Sequence, residues 1–366
     1  MSAFNLIALD KNYQIISLLC PTNIQWNRKY HEPGTFSIQL PLEQYNPDIK
    51  YIYTKDRPEV GKVSQINYLS QSGFRYMQLS GYFLENELNR HVAYPKGTSN
   101  LINTPTWIEK SGNAEDVAYA FFDGFKSIST DAITSELNMQ RAASLGRGKK
   151  AVHTRNGEYL GSKIYDILKP SGMSCRVVYD FESSKKHFEV WAGLNRTEEN
   201  TDGNNPIVFS TKYGNIRNPN VLISEDGYKN ACIVTNEQVN EDVSTYISRI
   251  VFNQLENEDI HIAYTMSSLN KADYAADAEF LTALENEALT ALEGMVRVTN
   301  VEFDTSAASY EYMKDFDIGD KCTLEIPEMH LSLDAKIIAC YEVVKSGQWS
   351  LSLEFGEPII KKGGMY

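Results

Sequence analysis

Apolar and polar residues alternate with a period of two through much of this chain. Ile24 and Trp26, and then Phe36, Ile38 and Leu40, each stand between polar neighbours. That period places each group on one face of a β-strand. Pro33-Gly34 between the groups predicts a turn, because Pro fixes φ and Gly accepts φ > 0. The same reading predicts short strands at 5–8, 15–19, 24–27 and 36–40. Longer strands at 60–69 and 74–84 flank Ser70-Gln71-Ser72-Gly73, a hairpin turn. Short strands at this spacing, from residue 1 to about residue 97, predict a small sandwich or barrel.

The period then changes. Asn113-Ala114-Glu115-Asp116 can cap a helix, with carboxylates at the positive end of its dipole. Val117, Phe121 and Phe125 follow at i, i+4 and i+8, with Ala118 and Phe122 beside them. A second helix is predicted over 157–169, with Leu160, Ile164, Ile167 and Leu168 as its buried stripe and Pro170-Ser171-Gly172 as its stop. Strands at 175–179 and 188–191 are joined by the polar turn 182–186, and 195–206 reads as a loop. Strands resume at 207–210, 231–236 and 249–252. The clearest helix spans 273–293, capped by Asp273 and ended by Gly294, with Tyr274, Phe280, Leu281, Leu284, Ala288 and Leu292 as its stripe. The last region, 296–360, is again β, with a hairpin at Lys345-Ser346-Gly347.

The two β regions echo each other. Ser72-Gly73 leads into an alternating strand through Leu79 to Gly81, and Ser346-Gly347 leads into one through Leu353 to Gly356. Each hairpin follows a Val/Ile-rich strand and, before it, a Gly-containing turn: Val60-Gly61 and Ile318-Gly319-Asp320. The predicted class is therefore α+β, mainly β, with two barrel-like β domains of similar shape around a helix-containing middle region. The expected divisions are 1–100, 101–206 and 207–366, the last carrying an inserted segment with the helix 273–293.

Composition narrows the function. With 366 residues, 42% hydrophobic and 23% charged, the chain has the profile of a folded protein with a sizeable core. A formal net charge of −13 argues against a protein that grips nucleic acid through Lys and Arg. It leaves room for one past which DNA slides without sticking. Cys20, Cys175, Cys232, Cys322 and Cys340 show no C-x-x-C spacing and read as reduced thiols of a protein made in a cytoplasm, with Cys232, Cys322 and Cys340 in buried strands. No signal-peptide pattern and no apolar run of membrane-spanning length are present, so membrane insertion is not expected. Twenty-two Tyr residues suit strands and interfaces alike.

The chemistry-bearing residues give no reaction. His31, His91, His153, His187, His261 and His330 do not pair at ligand spacings, and neither H-E-x-x-H nor G-x-S-x-G occurs. The basic run 141–150 contains Gly146 and Gly148 but fails the Walker pattern, and reads as a solvated loop rather than an anion site. Asn200, Asp202 and Asn204 alternate as calcium ligands would, without the bidentate Glu, so a polar loop is the simpler reading. Asn195-Arg196-Thr197 matches a glycosylation sequon that has no meaning without secretion. Glu85 with Glu87, and Asp315 with Asp317 and Asp320, are the acidic groups a cell-wall hydrolase could use as its two carboxylates, although Asp before a turn Gly is ordinary turn chemistry. No catalytic, cofactor-binding or metal-binding residue is assigned, and no cofactor is implied.

Trp26, Arg28, Tyr30, Pro33-Gly34, Phe36 and Leu40-Pro41 together resemble the N-terminal signature of the siphovirus gene-product-thirty-seven-like tail proteins of phages and prophages. Further matches follow in order: Phe188-Glu189-Val190-Trp191-Ala192-Gly193, Asn195-Arg196-Thr197, Val208-Phe209-Ser210, Asn215, Tyr228-Lys229-Asn230, Ile318-Gly319-Asp320 and Leu353-Glu354-Phe355-Gly356. The chain departs from the family pattern at Asn195, where Asp is usual, and in the strand from Ala231 to Thr235. The resemblance implies a tail or baseplate hub: a homotrimer joining the tail tube or distal tail protein to a tail-tip, spike or fibre protein, in a virion or phage-tail-like particle, with DNA passing unbound through an acidic lumen. Two barrels per subunit would give a pseudo-sixfold ring. The chain ends soon after the second β region, which is read as the lack of an appended lysin or receptor-binding domain. Two other readings stand beside the hub: a tail-associated cell-wall hydrolase using Glu85 or Asp317, and a carbohydrate-binding adhesin using the Tyr and Trp side chains.

Overall fold

A computed structural model of the protein describes residues 4–71, 73–93, 109–128, 139–154, 158–240, 243–253, 259–293, 295, 298–306 and 310–360. Seven strands come first: β1 (Leu6–Leu9), β2 (Ile15–Leu19), β3 (Asn23–Lys29), β4 (Thr35–Pro41), β5 (Tyr51–Thr54), β6 (Val60–Gln71) and β7 (Phe74–Phe83). The predicted alternation is realised, since Ile24, Trp26, Phe36, Ile38 and Leu40 all point into one core with Leu79 and Phe83. Gly34 is needed for a reason other than the one its sequence position predicts. It does not adopt positive φ. A Cβ there would lie 2.5 Å from Phe83 and 2.6 Å from the Asn27 carbonyl oxygen, so close packing against the strands excludes a side chain.

The middle region contains β8 (Glu109–Asn113), α1 (Ala114–Ile128), β9 (Met139–Arg141), β10 (Lys150–Thr154), α2 (Leu160–Leu168), β11 (Ser174–Asp180) and β12 (Lys185–Trp191). Both predicted helices form. Val117, Phe121 and Phe122 of α1 and Leu160, Ile164, Ile167 and Leu168 of α2 share a core with Val177 and Phe188. The rings of Phe122 and Phe188 stack at 4.6 Å. Gly172 stops the second helix in the left-handed region, φ 63°. The expected helix start at Gly157, the side chain of Phe125, Ser72 of the first hairpin and the helix-ending Gly294 lie outside the described residues.

After β13 (Asn195–Arg196) and β14 (Val208–Ser210), the chain passes along β15 (Ile216–Ser224), whose last four residues begin a second compact unit, residues 221–300. Its strands are β16 (Ala231–Asn240), β17 (Val243–Phe252) and β18 (Ile262–Ser267), in the order β17-β16-β18. Its helix α3 (Asp277–Glu293) lays Phe280, Leu284, Ala288 and Leu292 on Cys232, Val234 and Ala263. Asp273 does not cap this helix. Asn270 instead accepts the Ala272 amide at 3.1 Å and holds 271–273 as a separate single turn, so α3 starts four residues later.

The first unit, residues 1–220 and 301–366, is completed by β19 (Val298–Thr305), β20 (Lys321–Ile326), β21 (Leu331–Lys345) and β22 (Gln348–Ile360). The second predicted hairpin is present. Lys345 pairs with Gln348, and Ser346 and Gly347 both take positive φ, as a two-residue hairpin turn requires.

Closed barrels do not form among the described residues. The strands of both β regions instead join one fourteen-stranded sheet with the path β15-β19-β22-β21-β3-β4-β7-β6-β5-β1-β2, β20 pairing on β21 and β13 and β14 on β20. The reason lies in β21. At 15 residues it is long enough to serve two neighbours: 331–336 pair with β20, and 339–345 pair with β3. The C-terminal half is thereby committed to β3 and cannot close on its own region.

Candidate functional site: a polar sheet face over a buried seam

The join between β3 and β21 is pinned from the core side by two arginines. Arg28, 3% exposed, donates to Glu59, to Asp317, and at 2.8 Å to the Tyr312 hydroxyl. Burial alone would lower its pKa, but Glu59, Tyr312 and Asp317 together hold it well above the ordinary value. Arg57 forms a forked pair with Glu342, Nε to Oε1 at 2.8 Å and Nη2 to Oε2. The Trp349 Nε1–H donates to the same Oε2 at 3.0 Å.

A second knot gathers signature residues that are far apart in sequence. The Tyr30 hydroxyl donates to the Gly172 carbonyl at 3.0 Å and accepts the Gly193 amide at 3.3 Å. Trp191 meets the Tyr30 ring edge-on at 5.1 Å. A Cβ on Gly193 would lie 2.0 Å from the Gly319 carbonyl carbon, and one on Gly319, at φ +86°, would lie 2.4 Å from the Tyr30 ring. Asp320 accepts the Leu194 amide at 2.7 Å, Arg196 Nε at 2.8 Å and the Asp317 amide at 3.0 Å. Burial raises the Asp320 carboxyl pKa further than these donors lower it. Asn215 accepts the Ser210 amide at 2.7 Å and donates to the Val208 carbonyl at 2.8 Å. The sequence singled these residues out by pattern. Their roles are to satisfy buried backbone groups and to let strands approach closely.

The acidic candidates are brought to different partners. Glu85 accepts the Gly34 amide at 3.0 Å, and burial pushes its carboxyl pKa up to about 7. Glu87 lies between Lys186 and Lys62, the latter at 2.9 Å. Burial would raise its pKa, but Lys186 and then Lys62 bring it below the ordinary value. Two carboxyls pushed apart in pKa are a feature of glycosidases. Here, however, the cavity beside Glu85, lined also by Arg28, Glu59 and Cys175, measures about 30 Å³. That is the space of a single water, not of a sugar ring. Asp317 is taken by Arg28, and Asp315 accepts the Glu311 amide at 2.8 Å.

The basic run 141–150 is tied to α1 through its own ion pairs. Glu115 accepts the Arg147 amide at 2.9 Å, the Leu145 amide at 3.2 Å and the Arg147 guanidinium at 2.9 and 3.1 Å. Against burial, which would raise it, Arg147 holds the Glu115 carboxyl below its usual range. Arg141 is forked onto Asp123. The run is solvated as read, with seven of its ten residues exposed, and Arg141 and Arg147 hold it to α1. In the 195–206 loop, Asn200 donates to the carbonyls of Thr197 and Asn204 at 2.7 and 3.2 Å, so this side chain is used for internal turns. Among the described residues no three His, Cys, Asp or Glu side chains gather so as to hold a metal ion. No helix of the described residues is long and apolar enough to cross a membrane.

The opposite face of the sheet has a composition that the sequence reading did not anticipate. Register puts Asn67, Gln78, Gln39 and Asn23 in one cross-strand row, and Gln65, Ser80, Ser37 and Gln25 in the next. A third row carries Tyr82, Thr35, Asn27 and Tyr341. Neighbours are hydrogen-bonded to one another: Gln78 to Ser37 at 3.0 Å, Asn27 to Thr35 at 3.3 Å and Ser80 to Gln65 at 3.3 Å. A recess of about 140 Å³ on this face is lined by uncharged side chains alone, among them Asn23, Gln25, Ser37, Gln39 and Gln78. On β3, β4, β6 and β7 this face carries no Asp or Glu. The net charge of −13 therefore resides elsewhere. Amphipathic strands with period two revealed that an outer face existed. Only the register showed its neutral rows.

One long mixed sheet with an inserted α/β unit is a fold found among prophage tail proteins. The fold is similar to that of the 43 kDa tail protein of prophage MuSo2 from Shewanella oneidensis, with a TM-score of 0.60, 10% identity, and coverage of 96% of this chain and 98% of that one. It is also similar to a tail protein from Neisseria meningitidis, with a TM-score of 0.56, 9% identity and 97% of each chain covered. Prophage tail protein gp18 from Listeria monocytogenes gives 0.52 at 11% identity, covering 96% of this chain and 94% of that one. The sequence model of the siphovirus ReqiPepy6 Gp37-like proteins matches residues 9–357, and the chain belongs to that family. No curated protein sequence matches it.

Proposed function

We propose that this chain is a non-catalytic structural protein of a phage or phage-like tail, acting as a hub between the tail tube and the tail tip, and working as a homotrimer. The observation that carries this reading is a repeated strand order. The first β region runs β3-β4-β7-β6-β5, and the second runs β15-β19-β22-β21-β20, each in the same chain sequence. On this reading residues 1–100 and 207–366 are two copies of one module flanking the middle region 101–206. The second copy carries the 221–300 unit where the first has the short connection between β3 and β4. Two modules per subunit and three subunits make six modules, which suits a sixfold tube.

The neutral face is the surface we assign to passing DNA. Rows of Asn, Gln, Ser and Thr, already bonded to one another, offer a phosphate backbone few cations to hold it, Lys62 and Lys345 standing in two of the rows. An acidic wall is not required. Location is tested by antibody labelling of particles induced from the host that encodes the chain. Label at the tail end is expected, and particles that lack the protein would overturn the reading.

The hydrolase alternative is tested by a peptidoglycan overlay. No clearing is expected. Clearing that disappears in Glu85→Gln or Asp317→Asn would replace the hub with an enzyme. Binding of the isolated protein to intact host cells would favour the adhesin.

A further inference from the structure

We infer that the 221–300 unit is a docking module, and that the outer face of its three-stranded sheet takes a basic amphipathic helix of a partner protein. This goes beyond the hub reading and does not depend on it.

Within the unit, α3 covers one face of the sheet. Period two sends Cys232, Val234 and Ala263 to the helix and sends their neighbours to the other face. There Phe252 and Ile262 flank Ala231 in one cross-strand row, and Ile250 and Tyr264 flank Ile233 in the next. Met266 stands in the row after that. These five large side chains are between 47% and 62% exposed. The open face of a half-solvated sheet is ordinarily polar. Here β16 and β18 also run parallel, a pairing characteristic of sheets covered on both faces. With Tyr246 and Val239 on the same face, the open apolar side chains expose roughly 700 Å² at about 100 Å² each. That is close to the ~800 Å² that each side gives to a standard interface.

Charge selects the occupant. Residues 221–300 hold 14 Asp and Glu against 4 Lys and Arg, a formal −10 out of the chain's −13. The other 286 residues carry only −3. The apolar rows themselves are uncharged. Exposed Glu237 stands at one end of them, and exposed Asp259, whose carbonyl accepts Asn230 Nδ2, stands at the other. A second copy of the unit would bring −10 against −10, and nucleic acid or an anionic membrane would be repelled as well. A sugar needs polar groups turned toward it. The Tyr264 hydroxyl is instead turned to Met266 Sδ at 2.8 Å, and that of Tyr246 to Glu237 at 3.3 Å. A protein element with an apolar centre and basic flanks meets both conditions. α3, 17 residues long, already spans the inner face, and a helix on each face is a common way to bury a sheet.

The test reads oxidation of Met266 by peroxide in the full-length chain, by mass spectrometry. Met329, equally exposed and outside this unit, is the control. The probe is a helical peptide of the length of α3 with Leu on one face and Lys on the other, and its twin carries Glu in place of Lys. At ten times its Kd the Lys peptide is expected to slow Met266 oxidation about ten-fold and to leave Met329 unchanged. Its affinity should fall as salt is raised, and the Glu twin should not protect. Ile250→Glu with Tyr264→Glu, shown to be folded by circular dichroism, should abolish the protection. Equal protection by both peptides would overturn the basic partner. A Lys peptide that leaves Met266 unprotected would overturn the docking face. Protection that appears without peptide as the chain is concentrated would make the occupant a second copy, and protection by phosphatidylcholine vesicles would make it lipid; either overturns the helix. Particle labelling separately decides the tail assignment.

Discussion

Arg57 and Glu342 are 285 positions apart in sequence and form one forked ion pair, with Nε to Oε1 at 2.8 Å and Nη2 on the other carboxylate oxygen. Glu342 is fully buried, and its Oε2 also accepts the Trp349 indole N–H. The pair ties the turn after β5 to β21 on the core side of the seam. Removing one partner leaves the other charge buried and alone, which costs about 3–5 kcal/mol. Glu342→Ala is expected to lose that much stability by urea unfolding. Arg57→Met combined with Glu342→Leu should lose clearly less than Glu342→Ala alone. Equal losses would mean that the forked pair adds net stability.

Glu85 should make stability depend on pH. Its folded pKa, about 7, lies above the ordinary 4.5, so the native state holds a proton that the unfolded chain releases. The stabilisation is complete below about 4.5 and is lost as pH rises through about 7. The full difference amounts to about 3 kcal/mol. Glu85→Gln keeps an acceptor for the Gly34 amide and removes the titration. Compared between pH 5 and pH 8, the wild type is expected to lose about 2.5 kcal/mol relative to this variant. Parallel pH profiles would refute the assignment.

Gly193 and Gly319 touch backbone to backbone, and no side-chain rotation can make room for a Cβ there. Gly193→Ala, whose Cβ would lie 2.0 Å from the Gly319 carbonyl carbon, is expected to cost about 4 kcal/mol or more. Gly203 is the control. It has φ +77° and nothing within 4 Å, so Gly203→Ala should cost only about 1 kcal/mol of backbone strain. Thermal melts of the two variants should differ widely, and similar melting points would mean that the strands relax apart at Gly193.

Glu115 should govern access to the 141–150 loop. Hydrogen bonds to a charged group contribute about 1.5–3 kcal/mol each. Losing one such contribution in Glu115→Ala should speed tryptic cleavage at Arg147 about ten-fold. Because the carboxyl pKa is lowered in the folded state, the wild-type protection holds above the ordinary carboxylate range and fades only as pH falls through the lowered value. Unchanged cleavage in the variant would show that other contacts hold the loop.

Local structure was largely legible in the sequence. The alternation at Ile24, Trp26, Phe36, Ile38 and Leu40, the stripe on α2 and the Ser346-Gly347 turn all appear as read, because each depends on neighbours within a few residues. Asp273 misled because a capping side chain looks the same in sequence whether it starts a long helix or a single turn; Asn270 claims that turn. Gly34 misled because crowding by Phe83, 49 residues away in sequence, leaves no local signal. The basic run 141–150 is solvated as read, but its tie to Glu115 was not legible, because that counter-charge lies on α1.

Sequence by itself determined the strand periods, the helices, the absence of a recognisable reaction motif and the residues of the family signature. Only the tertiary structure decided what joins to what. Strand pairing is non-local, so nothing near β21 in sequence says that its second half meets β3 rather than closing a barrel. Charge placement is equally non-local. The chain carries −13 overall, yet the face of Asn, Gln, Ser and Thr has no carboxylate on β3, β4, β6 or β7, because register, and not composition, chooses which side chains stand in a row.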